Sequence, residues 1–196
     1  VSDGSDDTAE MLYALGTLFR RMVKDTRVVV TVREELQFAK DYMKLFSVRH
    51  RGRLSFETQM PEEVMDLAVP KLVLQPLVEN YIVHGFSSRR EDNRLFLGGY
   101  VAGEQLTLEL RDNGRGVSQS RLEAILRSLG NTPAENAAAI DRSVGLLNVH
   151  KRLVLAFAEA ARVEFDSIEG EGSEVRIVVP AMGAEEMRDH VQGTHS

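Results

Sequence analysis

None of the 196 residues is cysteine. Disulfides, thiol catalysis and cysteine-ligated zinc are therefore excluded, and the composition is compatible with a cytoplasmic protein. Nor is there a run of about 18 or more apolar residues, so this stretch does not cross a bilayer as a helix. Positive charge is not in excess. The 24 Lys and Arg against 30 Asp and Glu leave a net charge of −6, which argues against broad attraction to nucleic acid or to an anionic membrane surface. Internal repeats and low-complexity tracts are lacking. The start, Val1-Ser2-Asp3-Gly4, has neither the charged nor the apolar region of a signal peptide and no initiator methionine, and reads as a fragment or processed product. What is present suffices for a core: 43% hydrophobic residues allow one large domain, or an ordinary domain with a smaller flanking piece.

Apolar periodicity sets out the elements. Leu12, Leu15, Phe19 and Met22 recur at helical steps. Val28-Val29-Val30 is a short extended stretch. Thr31 then precedes Glu34 in the pattern of a capping box, opening a helix to about Arg49 with Leu36, Ala39, Met43 and Phe46 on one stripe. Both stripes are narrow: they either pack on their own domain or form a helical layer against a second chain. Leu54 and Phe56 alternate as in a strand. Pro70 is expected to open a helix through His84, ended by Gly85. Leu95-Phe96-Leu97 and Leu106, Leu108, Leu110 predict two strands joined by a turn. An amphipathic stretch follows (Leu122, Ile125, Leu126, Leu129), broken at Asn131-Thr132-Pro133. A helix from Val144 to about Ala158 and two strands carrying Val163, Phe165 and Val175, Ile177, Val179 complete the pattern. From Ala181 onward the residues are polar and expected to be loose. This order predicts an α+β, two-layer α/β sandwich, a mixed sheet with helices on one face.

Within it, Asp112-Asn113-Gly114-Arg115-Gly116 stands at the end of an alternating strand. Such a sequence can be a plain strand-ending turn. It can equally bring backbone close to a ligand, since two glycines remove Cβ atoms and the carboxylate accepts from an exocyclic amine. Upstream, Asn80 and His84 in Leu74-Gln75-Pro76-Leu77-Val78-Glu79-Asn80-Tyr81-Ile82-Val83-His84-Gly85 share a helix face. A neutral amide oxygen suits a hard cation such as Mg²⁺. Downstream, Gly145 in Ser143-Val144-Gly145-Leu146-Leu147-Asn148-Val149 lies at a helix N-terminus, whose free N–H groups suit a phosphate. Gly170-Glu171-Gly172-Ser173 turns into the last strand.

In this order the segments resemble the nucleotide-binding boxes of the GHKL ATPases, most of all those of LytS/YesM-type sensor histidine kinases. The likeness spans roughly residues 9–180. Val32-Arg33-Glu34-Glu35-Leu36, with Tyr42 and Arg49 behind it, looks like the stretch preceding the ATP domain there. The resemblance implies a GHKL fold binding ATP and Mg²⁺, with residues 1–52 a remnant of dimerisation and phosphotransfer helices, 53–181 the catalytic domain and 182–196 a polar tail.

By the same resemblance Asn80 would hold Mg²⁺, Asp112 the adenine amine, and Gly114 and Gly116 would shape the adenine pocket with help from Ser173. Residues 117–143 would be a lid over the phosphates, with Gly145 and Leu146 at its end, and His84 would contact phosphate. The intact protein would pass the γ-phosphoryl of ATP to a histidine and then to a response regulator, as a cytoplasmic homodimeric unit whose parent is open to membrane anchoring. A nucleotide-binding regulatory module acting by protein contact, either in the manner of an anti-sigma-factor kinase or as an ATPase-dead interaction domain, is the alternative. The sequence departs from the pattern at Ser143, where a glycine is usual, and at Tyr81, where a small residue is usual. None of His50, His84, His150, His190 and His195 sits in a Pro-His-Phe-like acceptor box, so the chain reads as beginning just after it.

Overall fold

The computed structural model describes Gly16 and residues 25–50, 52–130 and 144–193. The expected helix around Leu12–Met22 and the Ser143 hinge lie outside these residues. The chain path is β1 (Val29–Thr31), α1 (Val32–Arg49), β2 (Leu54–Gln59), α2 (Glu62–Met65), β3 (Ala68–Pro70), α3 (Gln75–Asn80), a π turn (Tyr81–Gly85), β4 (Asn93–Ala102), β5 (Gln105–Asp112), α4 (Gln119–Gly130), α5 (Val144–Phe157), β6 (Arg162–Ile168), β7 (Gly172–Pro180) and α6 (Ala184–Gly193).

The main sheet has the order β2-β4-β5-β7-β6. It is mixed: β2 runs parallel to β4, and the other neighbours are antiparallel. Its helix-facing side carries Leu95, Leu97, Leu108, Leu110, Val175, Ile177 and Val179. These pack with Leu77 and Val78 of α3 and with Val149 and Leu153 of α5 in one buried cluster. On the other side, Arg111 stacks on Phe96 and pairs with Glu109. That period of two, polar on one side and apolar on the other, is why the strands were legible. The result is the α+β sandwich expected.

Helix α1 starts as the capping box predicts. The Glu34 N–H donates to Thr31 Oγ1 at 3.2 Å, and the Thr31 N–H donates to Glu34 Oε2 at 2.9 Å. Its stripe of Val32, Leu36, Ala39 and Met43 is buried in the same cluster as the sheet. Among the described residues, this stripe is therefore covered by its own chain. Phe46 closes the stripe, edge-on to Phe86 with ring centroids 5.1 Å apart.

Two expectations need correction. Pro70 does not open a helix: it ends β3, opposite Val29 of β1 in a small two-stranded sheet. Proline lacks an N–H and suits such an edge position. The chain then passes Leu72 at φ 66° and enters α3 at Gln75, so the proline in the first turn is Pro76. Nor is the stretch after Ala181 loose: it forms α6, which buries Met187 in the core and stacks His190 on Phe157. Ala184, Met187 and Val191, at steps of three and four, give this short polar segment its apolar stripe.

Candidate functional site

Beneath α3 and α5, at the end of the sheet where β5 finishes, lies an open cavity of about 500 Å³. Its floor follows from strand register. Leu110 pairs with Val175, and Val175 with Phe165, so three apolar side chains stand in a row across β5, β7 and β6. One step along, Asp112 pairs with Ser173, and Ser173 with Ser167, giving a polar row beside the apolar one. A flat ring can lie on the first row while its polar edge meets the second.

Asp112 is held at the turn. Its Oδ1 accepts the Gly114 N–H at 2.7 Å. Burial pushes its pKa up to about 6, against the pull of the Gly114 and Ser173 N–H groups and the charge of Arg90. Gly114 presses on the carbonyl of Gly85, and the Arg115 N–H donates to that same carbonyl at 3.1 Å. Gly116 has φ +58° and lies against the carbonyl oxygen of Ile168, so a Cβ would both clash and strain the backbone. The Asp112–Gly116 turn is thereby wedged between the π turn and the β6–β7 hairpin. Ser167 locks that hairpin: its Oγ accepts the Val117 N–H at 2.9 Å and lies 3.0 Å from Ser173 Oγ.

Asn80 ends α3 and faces the N-terminus of α5. An ideal Cβ on Gly145 would lie 2.6 Å from Asn80 Nδ2 and 2.7 Å from Oδ1, so only glycine lets the two elements meet. Leu146, next on α5, is buried in the cavity wall. His84 is exposed at the rim of the same cavity. Thus Asn80, His84, Asp112, Gly116, Leu146 and Ser173 line one cavity, with Gly114 and Gly145 immediately behind it.

Tyr81 belongs to both core and cavity. It is 3% exposed, its ring edge lies on Gly85, and its hydroxyl is buried without a hydrogen-bond partner among the described residues. The Phe86 N–H donates to Tyr81 O at 2.7 Å, the five-residue spacing of a π turn. Gly85 makes room for the ring, where a Cβ would come within 2.6 Å of Tyr81 Cδ2.

Several lining residues were not foreseen from the sequence. Phe165 and Val175 were read only as strand residues. Arg121 of α4 lines the cavity, and its Nη2 is buried with no partner among the described residues. The expected lid begins as α4, whose Leu122 and Ile125 are buried. Residues 131–143 lie outside those described. Among the described residues, no group of three or more His, Cys, Asp or Glu is gathered to hold a metal. A hard cation there fits a donor set of the Asn80 amide, ligand phosphates and water, which is the usual preference of Mg²⁺.

Comparison with known proteins gives the family and the fold. The family model "Histidine kinase-, DNA gyrase B-, and HSP90-like ATPase" matches residues 65–183, and the model "Histidine kinase" matches residues 1–54. The sensor protein LytS of Bacillus subtilis is 26% identical over 192 residues, covering 97% of this chain and 31% of that protein. The sensor histidine kinase YesM of the same organism is 28% identical over 172 residues, covering 88% of this chain and 27% of that protein. The chain thus spans under a third of these relatives. Among solved structures, the histidine kinase domain of the Erythrobacter litoralis blue-light activated kinase superposes with TM-score 0.55 at 16% identity, covering 95% of this chain and 78% of that one. The catalytic domain of histidine kinase ThkA gives TM-score 0.55 at 11% identity, covering 79% and 96%. With the two matched segments in succession and the fold shared, the chain belongs to the histidine kinase-, DNA gyrase B- and HSP90-like ATPases, as an ATPase domain of the sensor histidine kinase type.

Proposed function

We propose that the cavity binds ATP and that this chain is the ATP-binding catalytic portion of a two-component sensor histidine kinase. The observation that supports it best is Asp112, a half-buried carboxylate at the edge of the apolar row Leu110–Val175–Phe165. Adenine stacks on that row and donates its exocyclic amine to the carboxylate, with Gly114, Gly116 and Ser173 shaping the pocket around it. The phosphates run toward Asn80 and the first turn of α5, where Gly145 leaves backbone N–H groups accessible and Leu146 closes the wall. His84, Arg115 and Arg121 supply donors for phosphate oxygens.

Asn80 is the residue placed to hold Mg²⁺, which when bound neutralises charge on the phosphates. The protein's own part is to position and to offer preorganised donors, because phosphoryl transfer asks for little else. In the intact protein an imidazole nitrogen of the acceptor histidine attacks the γ-phosphorus. The bond to the β–γ bridging oxygen breaks, ADP leaves, and the phosphoryl group passes on to an aspartate of a response regulator. Residues 1–52 serve as part of the dimerisation and phosphotransfer layer, 53–181 as the catalytic domain and 182–196 as the C-terminal extension, in a cytoplasmic homodimer. No described helix is long and apolar enough to cross a membrane.

The test is calorimetric titration of the chain with ATP and ADP, each with and without Mg²⁺. Binding at micromolar to millimolar strength, weakened in Asp112→Asn, is the expected result. Equal affinity in wild type and variant would remove Asp112 from the adenine pocket.

A further inference from the structure

Glu35 carries a carboxyl group, stands on α1 and is only 6% exposed. Its neighbours explain the burial. Oε1 accepts the N–H of Leu72 at 2.9 Å, and Oε2 accepts those of Val73 and Leu74, each at 2.9 Å. These amides lead directly into α3. The helix has Leu74 at its N-cap and no side-chain cap of its own, so the capping group comes from another helix. Burial pushes the Glu35 pKa up, and the converging amides hold it down.

The loop gripped by Glu35 is not relaxed chain. Leu72 sits at φ 66°, a left-handed conformation costly for a branched residue, and its N–H is one of the three that Glu35 fixes. From the other side Arg152 of α5 donates to the carbonyl of Lys71 at 3.2 Å. The segment 71–74 is therefore where α1, α3 and α5 are joined. Helix α3 has only 6 residues, so a shift at its start is carried to its end with little room to bend. At that end stands Asn80, against Gly145 of α5. Asp112 lies on β5, fixed by pairing with β4 and β7, and meets this path only beyond Asn80, where the π turn touches its turn at Gly85.

We propose that Glu35 is a positioning residue: its three-amide clamp on the segment 72–74 sets where Asn80 stands, and so links helix α1 first to the metal and phosphate end of the cavity. This rests on reading the cavity as a nucleotide site. A change in the pose of α1 is then felt first as a change in metal-dependent binding.

The experiment measures ADP affinity with Mg²⁺ and with EDTA for wild type, Glu35→Gln, Glu35→Asp and Asn80→Ala, with thermal melting of each. In Glu35→Gln an NH₂ replaces one acceptor oxygen and opposes the backbone donors. The gain in affinity given by Mg²⁺ should fall about tenfold, as expected when a group supporting a metal ligand is lost. Asn80→Ala should lose the same gain, Glu35→Gln should keep the wild-type affinity in EDTA, and Glu35→Asp should fall between. A merely structural Glu35 would lower the melting temperature and leave the Mg²⁺ gain unchanged, which overturns the proposal. Should Glu35→Gln not fold, Glu35→Asp decides: a wild-type Mg²⁺ gain there overturns it equally. Wild type that binds no ADP in either buffer would overturn the nucleotide reading, and this inference with it.

Discussion

The Asn80 amide occupies the space that a side chain at Gly145 would need: a Cβ there would lie 2.6 Å from the Asn80 amide nitrogen. Gly145→Ala must push that amide or α5 aside. Overpacking of this kind costs about 1–3 kcal/mol. The expected outcome is weaker Mg·ADP binding with little change in EDTA, read by calorimetry. Unchanged affinity in both buffers would show that Asn80 is free to move without consequence.

In its proposed role Asp112 should make nucleotide binding and stability respond to pH in opposite directions. Its folded pKa of about 6 lies above the ordinary 3.8. Between those values the folded chain holds a proton that the unfolded chain has released, so this group favours the fold at the acid end and loses that contribution as pH rises through about 6. The amine acceptor, by contrast, must be ionised. ATP affinity should therefore fall as pH drops below 6, and Asp112→Asn should flatten that profile. A wild-type affinity constant from pH 5 to 8 would contradict the assignment.

Arg121 carries a buried guanidinium nitrogen without a partner among the described residues. Leaving a charged donor unmet is costly, and an anionic ligand relieves it. Arg121→Met should weaken ATP and ADP while leaving adenosine unaffected, as judged by competition binding. Equal losses for all three ligands would place Arg121 at the base and not at the phosphates.

Tyr81 offers a different separation. Its hydroxyl is buried and unpartnered, while its ring fills space in the core. Tyr81→Phe should hold or raise the melting temperature, since it removes only the unmet group, worth about 1–3 kcal/mol. Tyr81→Ala should lower stability by about 3–5 kcal/mol through the cavity left behind. A melting temperature in Tyr81→Phe lowered as far as in Tyr81→Ala would mean that the hydroxyl has a partner in solution.

How much of this was legible depended on range along the chain. The strands and α1 announce themselves within a few residues, through alternation at Leu106, Leu108, Leu110 and the Thr31–Glu34 cap. The short boxes around Asn80, Asp112 and Gly145 are local too, and they converge in space. Pro70 misled because two prolines stand near one helix, and β-pairing with Val29 claimed the first. Helix α6 was missed because Met187 and Val191 are few among polar residues, yet they find a core that other elements have built. The apolar row of Leu110, Val175 and Phe165 depends on register across strands, and Glu35 on a partner far along the chain, so neither could be read from one stretch.

The sheet order also has a consequence for biosynthesis. β7 pairs with β5 on one side and β6 on the other, although it is the last strand described. On the ribosome Asp112 emerges long before Ser173, its partner in the polar row. Until β7 leaves the exit tunnel, β5 keeps an open edge and the slot has no middle wall, a state exposed to wrong pairing. A nascent chain halted ahead of Gly172 would carry every residue of the Asn80, Asp112 and Gly145 boxes and still lack the middle of the cavity floor.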